Sequence, residues 1–209
     1  NKQRIVVKVR TSTLTHNSGA LDLWSMEHLV RTLADLQGMG HEVILVSSGA
    51  IAVGTAKLGL SERPKELRMK QAAAAVGQCR MMHIYDKFFS EYNRSMAQIL
   101  LTGDDVEDPE RAEHLSNTFS ALLEMGVIPV VNENDSVSSA EIETGRHKVL
   151  GDNDTLSAIV AELCRADLLV LLSDIDGLYD ADPKTHPEAK LLHQVTELTP
   201  EILEMAGGA

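Results

Sequence analysis

Five short runs of aliphatic and β-branched residues, each followed by enough chain for a helix, constrain this sequence more than anything else in it. They are Ile5-Val6-Val7-Lys8-Val9, Val43-Ile44-Leu45-Val46, Gln98-Ile99-Leu100-Leu101-Thr102, Val127-Ile128-Pro129-Val130-Val131 and Asp167-Leu168-Leu169-Val170-Leu171-Leu172. Uninterrupted rather than alternating apolar character is what a strand covered on both faces requires. The chain between the runs carries the covering helices. Met26, Leu29, Val30, Leu33 and Leu36 recur at helical spacing, and residues 70–92, 110–125 and 155–163 continue the pattern. Ala74, Gly77 and Met81 are spaced for close packing on a neighbour. The expected fold class is α/β: a three-layer αβα sandwich around a mostly parallel central sheet, read as one domain over residues 1–209 with no internal repeat or linker.

Composition narrows the function classes. With 44% hydrophobic and only 3% aromatic residues over 209 positions, the core must be built from Ala, Val, Leu, Ile and Met. A formal net charge of −12 disfavours nucleic acid or an anionic membrane surface as the main partner. No apolar run approaches the roughly 20 residues of a membrane helix, and the first residues lead directly into a strand, so the expected location is cytoplasmic. Cys79 and Cys164 lie far apart in apolar helical patterns and read as buried free thiols. The eight His show no metal-ligand spacing, so no structural or catalytic zinc is expected and no residue is assigned as a metal ligand.

Open parallel sheets bind ligands outside the carboxyl ends of their strands. Those ends carry Lys8 with Thr11 and Ser12, then Ser47-Ser48-Gly49, then Asn132-Glu133-Asn134-Asp135, and then Ser173-Asp174; Gly151-Asp152-Asn153-Asp154 opens the helix before the last of them. A cation, small-residue turns that let backbone N–H groups approach an anion, and a group of carboxylates and amides suit phosphoryl transfer to a polar acceptor, a reaction made of positioning and charge neutralisation. Each item also has a plain structural reading. Lys8 fits an edge-strand charge, Ser47-Ser48-Gly49 a helix entry, Asp152 or Asp154 an N-cap, and Asn132 to Asp135 an ordinary turn. Asp104-Asp105-Val106-Glu107-Asp108-Pro109 reads as a solvated acidic loop. Neither G-x-x-x-x-G-K-[ST] nor G-x-G-x-x-G after the first strand occurs.

Six segments carry a more specific resemblance: Val6-Val7-Lys8-Val9 with Thr11-Ser12, Val46-Ser47-Ser48-Gly49-Ala50-Ile51, Lys70-Gln71-Ala72-Ala73-Ala74-Ala75-Val76-Gly77-Gln78, Val131-Asn132-Glu133-Asn134-Asp135, Gly151-Asp152-Asn153-Asp154, and Leu172-Ser173-Asp174 with Gly177-Leu178-Tyr179. In this order they resemble the amino-acid kinase domain of the glutamate 5-kinase family. The resemblance implies the amino-acid kinase fold and ATP-dependent phosphorylation of the L-glutamate side-chain carboxylate, with Mg²⁺ on the nucleotide, as the first step of proline biosynthesis. It makes Lys8 catalytic and a contact of the ATP phosphates, and Asp154 the organiser of that lysine. It gives Ser48, Asn132, Asp135, Asp152 and Asn153 to glutamate, and Ser173 and Asp174 to the nucleotide. It also implies homo-oligomers and feedback inhibition by proline. The family has Gly where Arg10 stands and Arg where Gly103 stands, and it continues with a glycine-rich segment bearing a second lysine, so the expectation is a domain lacking its C-terminal part. The competing expectations are a related kinase of acetylglutamate or aspartate, and a non-catalytic glutamate- or proline-binding module.

Overall fold

Each of the five apolar runs forms a strand, and the five lie side by side in one parallel sheet. The strands are β1 (Arg4–Val9), β2 (Glu42–Val46), β3 (Met96–Leu101), β4 (Ile128–Glu133) and β5 (Leu168–Leu172), in the order β3-β4-β2-β1-β5. This is a computed structural model, and it describes residues 1–138 and 153–205. Register is continuous along β1, from Arg4 opposite Glu42 to Lys8 opposite Val46 on one side, and from Ile5 opposite Leu168 to Val9 opposite Leu172 on the other. Pro129 lacks a backbone N–H, and its effect is visible: β4 pairs with β3 along its whole length but joins β2 only at Val130 and Val131.

Period-two alternation sends successive strand residues to opposite faces. Val7, Val9, Val43, Leu45 and Val130 face a layer containing α2 (Leu23–Gly38), α3 (Ala50–Lys57) and α4 (Leu67–Glu91). Val6, Ile44, Val46 and Val131 face α6 (Pro109–Glu124) and α7 (Asn153–Leu163). β5 is an exception to the expected burial: Leu168 and Leu171 are 44% and 49% exposed, because among the described strands β5 pairs with β1 alone.

The helices that carry the site are held very close. A Cβ on Gly77 of α4 would lie 1.7 Å from the carbonyl oxygen of Ala50 in α3, and one on Gly54 of α3 would lie 1.7 Å from the carbonyl oxygen of Ala73 in α4. Only hydrogen fits at either crossing. The spacing of Ala74, Gly77 and Met81 thus marks a true contact face.

Two sequence expectations are corrected. The acidic segment begins with a helix, α5 (Gly103–Glu107), closed at its start by a capping box in which Thr102 and Asp105 satisfy each other's backbone N–H groups. Cys79 is exposed, because α4 buries Ala74, Gly77, Gln78, Met81 and Tyr85 and turns position 79 away; Cys164 is buried as expected. A four-residue helix, α1 (Thr11–Leu14), follows β1 directly.

The chain divides into two compact units, Asn1–Leu172 and Ser173–Ala209. The second contains an antiparallel pair, β6 (Leu178–Tyr179) and β7 (Leu191–Leu192), and α8 (Pro200–Met205).

Candidate active site

Lys8 stands near the carboxyl end of β1 with 2% of its surface exposed. β1 lies between β2 and β5 in the sheet, which excludes the edge-strand reading of this charge. An ammonium taken out of water needs a carboxylate against it. Asp154, in the first turn of α7, provides one through Oδ1. Its other oxygen, Oδ2, lies 3.5 Å from Nη2 of Arg10. Burial pushes the Asp154 carboxyl up, but the hydrogen bond and charge of Lys8, joined by the charge of Arg10, overcome it and hold the group below the usual carboxylate range. Arg10 itself has φ −80° and ψ 155°, extended backbone open to any residue, so no glycine conformation is required there.

The turn after β2 is fixed from three sides. Ser47 is fully buried, its Oγ 2.9 Å from the Tyr85 hydroxyl. Ser48 donates to the Val9 carbonyl at 3.2 Å and sits 3.1 Å from Thr11 Oγ1. Gly49 has φ +100°, and a Cβ there would lie 2.8 Å from Thr11 Cγ2, so both conformation and space demand glycine. Asn153 at the start of α7 donates from Nδ2 to the Ser47 carbonyl at 3.0 Å. Lys8, Ser48, Asn153 and Asp154 are thereby gathered at the carboxyl ends of β1 and β2.

The end of β4 builds a second wall. Asn132, 1% exposed, accepts the Glu133 backbone N–H on Oδ1 at 2.9 Å, which fixes its amide orientation. Its Nδ2 therefore faces Gln78 of α4 and donates to Oε1 at 2.9 Å. Gln78 Nε2 is buried with no hydrogen-bond partner among the described residues. Asp135 is half-buried and, with Ala50, Gln78, Glu133 and Asn134, lines a cavity of ≈ 450 Å³. Ala50, the first residue of α3, lies two residues beyond Ser48.

Asp152 lies outside the described residues. Ser173 and Asp174 belong to the second unit, where both are exposed and Ser173 Oγ donates to Asp174 Oδ1 at 3.3 Å. Among the described residues no group of three or more His, Cys, Asp and Glu could hold a metal ion. Residue-by-residue reading missed the supports: Tyr85 under Ser47, Thr11 against Ser48, and Gln78 under Asn132. The last two stand within the quoted segments, but their partners lie 37 and 54 positions away, and spacing along the chain carries no trace of that.

The chain matches the sequence model of the amino acid kinase family over residues 3–208. It is 54% identical to the glutamate 5-kinase of Clostridium perfringens over 209 residues, covering all of this chain and 77% of that protein. With the glutamate 5-kinase of Carboxydothermus hydrogenoformans the identity is 55% over 210 aligned positions, covering all of this chain and 55% of that protein. Among solved structures, an isopentenyl phosphate kinase in its substrate complex aligns with a TM-score of 0.65 at 19% identity, over 99% of this chain and 84% of that one. UMP kinase from Ureaplasma parvum aligns with a TM-score of 0.60 at 15% identity, over 99% and 86%. At those identities the structures speak to the fold alone, whereas the family model and the bacterial relatives decide the family. With the model matched over residues 3–208 and a glutamate 5-kinase 54% identical over the whole chain, the chain belongs to the amino acid kinase family, among the glutamate 5-kinases.

Proposed function

We propose that this chain transfers the terminal phosphoryl group of ATP to the side-chain carboxylate of L-glutamate, the step that commits glutamate to proline. The observation that carries the mechanism is Lys8, buried in a central strand and held on Asp154. In the reaction an oxygen of the side-chain carboxylate forms a new bond to phosphorus while the bond from phosphorus to the oxygen it shares with ADP breaks. The carboxylate is already ionised, so no proton moves. What the protein supplies is positive charge and position.

Lys8 neutralises charge on the transferred group, and Asp154 keeps its ammonium aimed. Ser48 and the N–H groups of its turn meet carboxylate oxygens of glutamate, with Asn153 beside them, and Asp152 keeps the glutamate-binding role that the resemblance gives it. Across the cleft Asp135 takes the α-ammonium and Asn132 shapes the turn that presents it. Ser173 and Asp174 keep the nucleotide role that the resemblance gives them. Mg²⁺ on the nucleotide, which the resemblance implies, would supply further charge neutralisation when bound. We extend the reading to a homo-oligomeric enzyme of the cytoplasm, inhibited by proline at the glutamate site; no helix among the described residues is long and apolar enough to cross a membrane.

The test is ADP release by the full-length protein with glutamate, N-acetylglutamate or aspartate as acceptor. Turnover with glutamate alone is expected, because an N-acetylated substrate has no ammonium for Asp135. Turnover with N-acetylglutamate or aspartate in place of glutamate would refute the assignment.

A further inference from the structure

Two cations share one carboxylate at the end of β1. Lys8 and Arg10 are two positions apart on a strand and its extension, so both project toward the α7 face, and each meets a different oxygen of Asp154. The trio carries a net charge of +1. Its members differ in access: the Lys8 side chain is 2% exposed, the Asp154 side chain 33% and the Arg10 side chain 38%. An anion coming from solvent therefore meets the guanidinium before the ammonium. At 3.5 Å and with both groups open to water, the Arg10 to Asp154 pair is a weak one that a multiply charged phosphate outcompetes. A guanidinium also offers paired donors that match two phosphate oxygens at once.

We propose that Arg10 is a second phosphate-binding cation of this site, one that exchanges Asp154 for the terminal phosphate of the nucleotide and hands that phosphate to Lys8. The proposal rests on the nucleotide role given to Lys8 above. It predicts a selective effect. Arg10 reads the terminal phosphate, so its loss weakens nucleoside triphosphate binding and spares the diphosphate. Removing one charge-assisted contact corresponds to about a tenfold loss of affinity.

The experiment is calorimetry on the full-length protein with Mg²⁺, using the non-hydrolysable analogue AMP-PNP and, separately, ADP. For Arg10→Gly the AMP-PNP dissociation constant should rise about tenfold and the ADP constant stay within about twofold, while Arg10→Lys recovers part of the loss. In steady state the KM for ATP should rise and the KM for glutamate stay unchanged. Equal or tighter AMP-PNP binding by Arg10→Gly overturns the proposal and makes Arg10 an obstruction; parallel losses for AMP-PNP and ADP overturn it in favour of a structural role. If the unsubstituted protein binds neither nucleotide, the proposed function itself falls and this inference falls with it.

Discussion

At the scale of single residues, Asp154 and Asp135 differ in what surrounds them. Asp154 faces two cations, whereas Asp135 lines the cavity, where the proposed function gives it the α-ammonium of the substrate. Asp135→Ala should raise the glutamate KM at least tenfold while the KM for ATP holds, measured by steady-state kinetics at saturating co-substrate. Asp154→Asn leaves the Lys8 ammonium buried without its counter-charge. The expected cost in stability is about 1–2 kcal/mol, less than the ~3–5 of a fully buried pair because water reaches a third of Asp154. The sign of its pH dependence follows from the direction of the shift. A carboxyl held below its usual range stabilises the fold above the unfolded value and loses that contribution as pH falls through the folded one. The difference between the unsubstituted protein and Asp154→Asn, read by urea unfolding, should therefore be full at pH 7 and shrink below about pH 4.

At the scale of elements, what was legible in the sequence was whatever depends on neighbours along the chain. The strands showed as β-rich runs, and the ends of β1, β2 and β4 showed as small or polar residues where the runs stop. Gly49 and Asn132 were visible as turn residues, but not their reasons, which lie in Thr11 against Gly49 and Gln78 against Asn132. The start of α5 was legible and misread: Thr102 three positions before Asp105 is a helix-start signal, which the run of acidic residues masked. Cys79 was misplaced because the face of α4 is set by its glycine crossing with α3, a fact about two helices rather than one. That crossing gives its own prediction. Gly77→Ala must drive α3 and α4 apart, and since α3 carries the Ser48-Gly49 turn, stability should fall by about 3 kcal/mol or more, with turnover falling too. Calorimetric melting of the variant beside Ala75→Gly, a position on the exposed side of α4, checks it, the latter losing only about 1 kcal/mol.

At the scale of the whole molecule, three strand ends and the start of one helix supply the groups from which the proposed chemistry is built. β1 brings the buried cation, β2 a glycine turn packed on Thr11, β4 the amide and carboxylate of the second wall, and α7 the aspartate that locks the first. That most of them stand at strand ends was foreseeable from the order of strands and helices. The pairing of Lys8 with Asp154 across 146 positions was foreseeable only through the family resemblance, since no local pattern links them. In the proposed function Lys8 acts on the transferred phosphoryl group rather than holding the sheet together. Steady-state kinetics of Lys8→Ala in the full-length protein test it most directly. The kcat should fall at least 100-fold with a glutamate KM within about threefold of the unsubstituted enzyme; an unchanged kcat in a folded Lys8→Ala protein would rule out that role for Lys8.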